Sequence, residues 1–323
     1  MTRLALTGTT GFIGRRLLTH LAGLEAGAGP QAGSAAAIEV RAHSRRPLSG
    51  LRQPARLTVL DGALDDPATW ARLLEGVDAV VHVAGAVRGR GPADFAINHR
   101  AVAALVAAAN ALPAPPAILL VSSLAARRPD ISDYAHSKHA GEAELANLRA
   151  PVGCVLRPPA VYGPGDVEML PLLRAMAAGL GVYPGSLDAR VSLIHVDDLC
   201  RLVLAWLRAP CAGVTLEPDD GRANGHAWRD LHAEVAKVAG RRVHALRLPP
   251  ALLRGAASLL ALFARLGGPV PMLSQGKVRE LTADAWVCSP MPVAVGDWAP
   301  RIGLERGLRA LLDADGDDEL ILA

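Results

Sequence analysis

The first half of the chain alternates short aliphatic runs with longer segments in which apolar residues recur at helical spacing. Short β-branched or aliphatic runs are typical of buried strands, and the longer periodic segments are typical of helices. The pattern predicts strands at residues 3–7, 38–43, 57–60, 79–83 and 118–121. It predicts helices at residues 12–24, 67–75, 93–111 and 133–148. This alternation favours an α/β fold, with a doubly wound parallel sheet covered by helices on both faces.

After Arg157 prolines interrupt the chain often, and the predicted elements become irregular. We therefore expect residues 1–157 to form the first domain, with its sheet completed by parts of residues 190–245. Residues 158–323 would form mainly a smaller, interleaved C-terminal subdomain that binds the substrate. The Gly- and Ala-rich residues 26–37 predict an enlarged loop between the first helix and the second strand.

Residues 248–266 form a strongly apolar segment that contains Arg254 and Arg265. The interpretation that we favour is a helix packed on the core or buried in an oligomer interface. The alternative is an amphipathic helix that contacts a membrane surface or covers a greasy substrate.

Composition narrows the class of protein. The 323 residues are 51% hydrophobic with a net charge of +3, which excludes a disordered chain and gives no reason to expect a nucleic-acid partner. Four cysteines without CxxC spacing argue against a disulfide framework and a zinc site, and we expect no metal. No apolar run reaches the roughly 18 residues of a spanning helix. The N-terminal residues already predict a strand, so we expect a cytoplasmic protein, as a monomer or homodimer.

A glycine-rich loop joins the first predicted strand to the first helix. It reads Thr7-Gly8-Thr-Thr-Gly11-Phe-Ile-Gly14. Gly8 permits a tight turn, Gly11 lets the backbone approach a pyrophosphate, and Gly14 allows close packing of helix and strand. Phosphates at this loop would sit over the N-terminus of the helix, where free N–H groups favour anions. The loop therefore predicts dinucleotide binding by a Rossmann fold.

The end of the second strand bears on which dinucleotide is bound. An acidic residue there would bind the ribose 2′-hydroxyl of NAD(H), but this strand is followed by Ser44, Arg45 and Arg46. Guanidinium groups and a hydroxyl suit a 2′-phosphate, which favours NADP(H), with NAD(H) as the alternative.

A tyrosine and a lysine stand four residues apart, although the chain has only three tyrosines. Tyr134 and Lys138 therefore share one face of the predicted helix 133–148. A nearby ammonium favours the phenolate, so we expect the pKa of Tyr134 to be lowered toward neutral pH. Ser122 and Ser123 directly follow the strand 118–121, at the end of the sheet where such folds bind ligands. A serine hydroxyl there could hold a carbonyl oxygen beside the tyrosine.

These motifs occur in one order with several others along the chain. They are the glycine loop at 7–14, VHVAG at 81–85, Asn98, VSS at 121–123, YAHSK at 134–138, RPPAVYGP at 157–164, SLIHVDD at 192–198 and WAPR at 298–301. In this series the chain resembles the extended branch of the short-chain dehydrogenase/reductase superfamily. That branch includes NAD(P)-dependent epimerases, dehydratases and 3β-hydroxysteroid dehydrogenase-like enzymes. The resemblance covers nearly the whole chain.

The resemblance implies a role for each matching residue. Tyr134 would donate or accept the proton, Lys138 would lower its pKa and bind the nicotinamide ribose, and Ser123 would polarise the substrate oxygen, with Ser122 as the alternative. Asn98 would support the active-site water and backbone, and Asp197 would be a structural link. The residues expected at the cofactor are Gly8, Thr10, Gly11, Phe12, Ile13, Gly14, Ser44, Arg45, Arg46, Gly62, Ala63, Leu64, Val83, Ala84, Gly85, Val121, Tyr134, Lys138, Pro158 and Ala160.

The chain departs from the family pattern at two places. Gly62-Ala63-Leu64 replaces the frequent Gly-Asp-Leu, so a contact to adenine is lost or comes from Asp61 or Asp65. Ala160 stands where members that act on nucleotide sugars usually carry Asn. The second departure favours a reductase of ketones or alcohols over a sugar epimerase.

The hypothesis that follows is an NADP(H)-dependent oxidoreductase that reduces a ketone to a secondary alcohol. We expect a hydrophobic, lipid-like substrate, for example a 3-keto lipid or a steroid. One alternative is a nucleotide-sugar epimerase or dehydratase, for which Arg157, Arg174 and Arg190 are candidate phosphate ligands. Another is a non-catalytic subunit that senses a nucleotide or has a structural role.

Overall fold

The computed structural model describes residues 2–27, 38–48, 50–150, 152–266, 268–271 and 273–313. Most of the loop predicted at 26–37 lies outside these residues. The elements of the first half are β1 (Thr2–Thr7), α1 (Phe12–Gly27), β2 (Ile38–His43), β3 (Leu57–Leu60), α2 (Pro67–Leu74), β4 (Ala79–His82), α3 (Pro92–Phe95), α4 (Ile97–Asn110), β5 (Ala117–Val121) and α5 (Asp133–Leu145). A 3-10 turn, Leu124–Arg127, lies between β5 and α5.

The second half contains shorter strands between its helices. The elements are β6 (Gly153–Leu156), β7 (Ala160–Tyr162), α6 (Leu170–Ala177), β8 (Leu180–Pro184), β9 (Arg190–Val191), β10 (Leu193–His195), α7 (Val196–Arg208), β11 (Thr215–Leu216), β12 (His226–Ala227), α8 (Trp228–Ala239), β13 (His244–Leu248), α9 (Pro250–Arg265), α10 (Gln275–Leu281), β14 (Ala285–Trp286) and α11 (Leu304–Asp313).

Seven strands form the central sheet in the order β11-β6-β5-β4-β1-β2-β3. Every pair in this sheet is parallel, which confirms the predicted doubly wound α/β architecture. The last strand, β11, comes from the second half of the chain and pairs with β6. The remaining short strands form three small sheets outside the central one.

The faces of the sheet are covered by different helices. Alternate residues of a strand point to opposite faces, so Leu4 and Leu6 join a cluster with α1 and α7, whereas Ala5 joins a cluster with α2 and α4. Trp70 of α2 is fully buried in the second cluster. Burial on both faces explains why the central strands β4 and β5 are almost continuously apolar rather than alternating.

Local capping sets where several helices begin. The Asp66 carboxylate accepts from the N–H of Ala68 at the start of α2, and the Ser132 hydroxyl accepts from the N–H of Ala135 at the start of α5. The helix predicted at 93–111 is two helices, α3 and α4, which meet at Ala96, where the Ala96 N–H donates to the Ala93 carbonyl three residues back.

The prediction that residues 248–266 pack on the core is wrong for this chain. Within α9 only Ala257 and Ala264 are buried, and most of its leucines are exposed. The helix contacts α10, and its large apolar side chains Leu252, Leu259, Leu262 and Phe263 stay more than half exposed in the described part of the chain. No helix among the described residues is long and apolar enough to cross a membrane.

Candidate active site

The glycine loop turns tightly between β1 and α1. Gly8 has φ +76°, and a Cβ there would lie 2.6 Å from the backbone nitrogen of Ala84. A Cβ on Gly14 would lie 2.1 Å from the Gly8 carbonyl oxygen. No side chain fits at either position. The glycines therefore keep the loop close to the start of α1, and the other side of the loop faces the cleft. The leading N–H groups of a helix have no acceptor within it, and here they face a space in which a pyrophosphate fits.

A cleft of about 1460 Å³ runs along the carboxyl ends of the parallel strands. The loops after β1 to β6 all contribute to it, as expected for ligand binding by this kind of sheet. The predicted cofactor and catalytic residues that line it are Gly8, Thr10, Gly11, Phe12, Ile13, Ser44, Arg45, Arg46, Gly62, Ala63, Leu64, Val83, Ala84, Gly85, Ser123, Tyr134, Pro158 and Ala160. The predicted residues that lie behind the wall are Gly14, Asn98, Val121 and Lys138.

The end of β2 presents positive charge to the cleft. Ser44 is buried, and its hydroxyl donates to the carbonyl of Arg46 at 2.6 Å, which fixes the turn. Arg45 and Arg46 are exposed and line the cleft. Within the described ranges, neither guanidinium forms an ion pair. Two unpaired cations at this point are free to meet an anion of the ligand.

The loop after β3 forms the neighbouring wall. Its Gly62 has φ +142°, and the Gly62 carbonyl lies 2.9 Å from Nε2 of His43, which ties the loop to the end of β2. Of the two acids considered for an adenine contact, Asp65 lines the cleft and Asp61 does not.

The two serines after β5 have different surroundings. The Ser122 hydroxyl is buried and donates to Glu142 at 2.5 Å. Ser123 is partly exposed and lines the cleft, and its hydroxyl accepts from the N–H of Ala125 at 3.2 Å. Consecutive side chains in extended backbone point in opposite directions, so only one of the two can face a ligand. That one is Ser123.

Tyr134 stands opposite Ser123 in the cleft. Burial raises the pKa of Tyr134 to about 12, and a hydrogen bond with the Ser123 hydroxyl opposes that rise. The Phe95 ring packs edge-on against the Tyr134 ring, with centroids 6.1 Å apart. The two hydroxyl groups therefore lie together at the end of β5, where a polarised oxygen of a substrate can meet both.

The expected lowering of the Tyr134 pKa is not found in this structure, because Lys138 binds elsewhere. The Lys138 ammonium donates to the Val121 carbonyl at 2.7 Å. Burial lowers the pKa of Lys138 to about 8, and the Glu142 carboxylate opposes this shift. The i,i+4 spacing places both side chains on one side of α5, but it does not fix where the ammonium ends.

Asn98 holds the backbone around the site. Its carboxamide accepts from the N–H of Ala86 at 2.7 Å and donates to the Ala86 carbonyl at 2.9 Å. The same amide donates to the Ser137 hydroxyl, which in turn donates to the Tyr134 carbonyl. Asn98 thus connects the loop after β4 with the first turn of α5.

A carboxylate–guanidinium network lies behind Ser122. Arg157 donates to both oxygens of Glu142 and lies 3.4 Å from Glu217. Its guanidinium is therefore satisfied by protein carboxylates. Among the arginines considered as phosphate ligands, Arg190 lines the cleft, whereas Arg157 and Arg174 do not.

Several residues that line the cleft were not predicted from the sequence. Apart from Arg88 in the loop after β4, they come from the second half of the chain and include Trp228, Ala261, Ala264, Arg265, Lys277 and Trp286. No motif marks them, because α9 and α10 reach the cleft only through the tertiary fold. Among the described residues, no cluster of three or more His, Cys, Asp or Glu side chains could hold a metal.

Known proteins resemble this chain in sequence and in fold. The model of the NAD dependent epimerase/dehydratase family matches residues 4–218. A ceramide reductase of Caulobacter vibrioides is 36% identical over 90% of this chain and 88% of its own length. A 3beta-hydroxysteroid-dehydrogenase/decarboxylase (isoform 1) of Arabidopsis thaliana is 24% identical over 56% of this chain and 45% of its own.

Among solved structures, the UDP-glucose 4-epimerase of Thermotoga maritima has a TM-score of 0.65 at 18% identity, covering 97% of this chain and 98% of that one. This likeness confirms the fold, and the sequence matches show the family. The chain belongs to the NAD dependent epimerase/dehydratase family and is an enzyme of the extended short-chain dehydrogenase/reductase type that uses a nicotinamide cofactor.

Proposed function

We propose that this enzyme is an NADP(H)-dependent reductase that converts a ketone of a hydrophobic, lipid-like substrate to a secondary alcohol. The observation that carries the proposal is that the Ser123 and Tyr134 side chains line the same cleft as the glycine loop. The 36% identity to a ceramide reductase supports the same reaction type.

The chemistry assigns a separate task to each hydroxyl. When bound, the nicotinamide cofactor supplies the hydride that the carbonyl carbon accepts. The Ser123 hydroxyl donates a hydrogen bond to the carbonyl oxygen and strengthens that bond as negative charge develops. Tyr134 gives its proton to the same oxygen. Because an unperturbed or raised phenol pKa keeps Tyr134 protonated, the side chain is poised as the acid of the reduction.

The walls of the cleft support an apolar substrate. Phe95, Val167, Met169 and Trp286 line it together with the small residues of α9. Ala160 in the same wall lacks the amide that usually holds a sugar nucleotide in related enzymes. We propose a long-chain 3-keto lipid as the substrate class, and the ceramide reductase relative favours the sphingoid type.

The cofactor preference that we propose is NADP(H) over NAD(H). Its support is the pair of unpaired guanidinium groups, Arg45 and Arg46, and the absence of an acidic residue directly after β2. Bidentate, charge-assisted hydrogen bonds from arginine suit a 2′-phosphate well.

The test is NADPH oxidation with a panel of 3-keto sphingoid lipids, N-acylated 3-keto sphingoid lipids, keto-steroids and UDP-sugars. We expect turnover of a 3-keto lipid, with formation of the 3-hydroxy product. Tyr134→Phe should lower kcat by about 10²- to 10⁴-fold, because it removes the proton donor. The enhancement of NADPH fluorescence on binding should persist in that variant.

The matched control is Tyr183→Phe. Tyr183 lies in β8 and does not line the cleft, so this variant should keep full turnover. Full turnover by Tyr134→Phe would contradict the mechanism.

A nucleotide-sugar epimerase is the second candidate, favoured by the UDP-sugar enzymes that share the fold and by Arg190 in the cleft. It requires conversion of a UDP-sugar without net consumption of NADPH. That result in the same panel would replace the reductase proposal.

A further inference from the structure

Helix α9 presents an apolar face that nothing in the described chain covers. The exposed fractions of Leu252, Leu259, Phe263 and Leu266 are 65%, 70%, 58% and 79%. These positions are spaced seven, four and three residues apart, so they form one stripe along the helix. Exposure of this many large apolar side chains in one stripe marks an interaction surface.

The opposite side of α9 holds the helix to the protein. Ala257 and Ala264 are its buried residues, and seven residues separate them on that side. The Gln275 amide donates to the Arg254 carbonyl and to the Ser258 hydroxyl, both at 2.9 Å. Ala261, Ala264 and Arg265 line the active-site cleft. The helix is therefore fixed as a wall of the cleft, with its leucine stripe turned outward.

The segment of the sequence that contains α9 carries charge of a single sign. Between Gly240 and Glu280 the sequence contains no acidic residue. The basic residues of that stretch are Arg241, Arg242, Arg247, Arg254, Arg265, Lys277 and Arg279. Leu246, in the strand β13 that precedes α9 in the chain, is also 51% exposed.

Charge distinguishes among the occupants of this surface. A second copy of the chain packed on this segment would bring two stretches without an acidic residue together, with no carboxylate in either to pair their basic residues. An anionic phospholipid surface offers both an apolar layer for the leucines and negative headgroups for the arginines. With 16 residues, α9 is also too short to cross a bilayer and suits a position in its interface.

We propose that α9 docks this enzyme on the surface of an anionic phospholipid bilayer, with Leu252, Leu259, Phe263 and Leu266 inserted among the acyl chains. The docked helix would hold the cleft behind α9, one helix diameter (roughly 10–12 Å) from the acyl chains. Entry of a lipid substrate from the bilayer into that cleft rests additionally on the proposed function.

The experiment is co-sedimentation of the full chain with sucrose-loaded vesicles of phosphatidylcholine, with and without phosphatidylglycerol. We expect binding to the vesicles that contain phosphatidylglycerol, weakened by salt because the electrostatic attraction is screened. Leu259→Gln/Phe263→Gln should lower the partition coefficient by at least about tenfold. These side chains are exposed, so the unfolding midpoint of the variant should stay close to that of the wild type.

The matched control is Leu24→Gln/Val59→Gln, which changes two exposed apolar side chains on α1 and β3. It should bind vesicles like the wild type. Equal binding of the α9 variant and the wild type would overturn the proposal. So would a stable dimer that the α9 substitutions dissociate, combined with no binding of the wild type to either kind of vesicle.

A kinetic comparison separates this inference from the proposed function. With a 3-keto lipid embedded in anionic vesicles, the α9 variant should turn over more slowly than the wild type. With the same lipid in detergent micelles, the two should agree. Vesicle binding without reduction of any ketone would leave α9 docking intact and would reject the reductase.

Discussion

Two adjacent serines show how little separates a structural from a functional role. Ser122 and Ser123 have the same side chain and follow the same strand, yet Ser122 binds Glu142 and Ser123 faces the cleft. The alternation of extended backbone allowed only one of them to reach a ligand, and the family resemblance pointed to the second. The partner of Ser122 could not be predicted, because Glu142 is 20 residues away and meets it only in the folded chain.

The sequence also does not determine which rotamer a long side chain adopts. The spacing of Tyr134 and Lys138 correctly placed them on one helix, and the helix begins at the predicted Asp133. The ammonium, however, is held by the Val121 carbonyl, which belongs to a different element. From the spacing alone we expected a lowered pKa for Tyr134, whereas burial raises it in this structure.

At the residue scale, cofactor choice is open to a charge-reversal test. Arg45→Glu/Arg46→Glu should raise the KM for NADPH by about 10²-fold, because it replaces two charge-assisted hydrogen bonds with repulsion of the 2′-phosphate. The KM for NADH should change by less than about fivefold, since NADH lacks that phosphate. Steady-state kinetics with both cofactors measure the difference.

Arg52→Glu is the control for this test. Arg52 is exposed and does not line the cleft, so it changes net charge without touching the cofactor. A charge-reversed variant that still preferred NADPH would show that Arg45 and Arg46 are ordinary surface residues.

At the scale of elements, the strands and capped helices were predictable and the junctions were not. Short β-branched or aliphatic runs identified β1 to β5, and the predicted start of α2 agrees with the structure, in which Asp66 caps the helix. The division at Ala96 could not be predicted, because alanine suits both one long helix and two short ones. The leucines of α9 predicted burial, but whether a partner covers them depends on tertiary placement alone.

The glycine loop gives the sharpest test at this scale. Gly14→Ala places a Cβ where the Gly8 carbonyl oxygen would be 2.1 Å away, so the turn must shift. We expect a loss of about 1–3 kcal/mol in the free energy of unfolding and much weaker NADPH binding. Urea unfolding and a fluorescence titration measure the two effects.

Gly255→Ala is the matched substitution, since nothing lies within 4 Å of a Cβ at that position in α9. Alanine in an exposed helix should stabilise by about 0.5–1 kcal/mol and leave NADPH binding unchanged. If both variants behaved alike, close packing in the loop would not explain Gly14.

At the scale of the whole molecule, a buried ion pair joins α1 to α7. The Arg16 guanidinium donates to both oxygens of Asp197, at 2.5 and 2.8 Å, and His20 lies 2.7 Å from the same carboxylate. These contacts hold the pKa of Asp197 well below its usual range, despite the opposing effect of burial. The family resemblance implied a structural role for Asp197, and this position agrees with it. That Arg16 is its partner could not be predicted, because the two residues are 181 positions apart in the sequence.

Removing this carboxylate should destabilise the protein in a pH-dependent way. Asp197→Asn leaves Arg16 buried without its counter-ion, so we expect a loss of about 3–5 kcal/mol at neutral pH. A carboxyl group with a lowered native pKa stabilises the fold above its unfolded pKa, and that contribution disappears as the pH falls through the native value. The difference between wild type and variant in urea unfolding should therefore narrow below about pH 4.

Asp188→Asn provides the comparison, because the Asp188–Arg229 pair is exposed on both sides. Its loss should cost less than about 1 kcal/mol at any pH. If the two substitutions lowered the free energy of unfolding equally, the buried pair would contribute no more to stability than the exposed one.

The short strand β11 has a consequence for how the chain is made. Leu216 of β11 lies 60 residues after Leu156 of β6, yet it closes the edge of the same sheet. A ribosome that adds roughly 5–20 residues per second needs about 3–12 s to supply it, and meanwhile β6 offers unpaired N–H and C=O groups. The nascent protein thus passes through an interval in which a foreign strand can occupy that edge, so pausing of translation between residues 156 and 216 should favour aggregation over assembly.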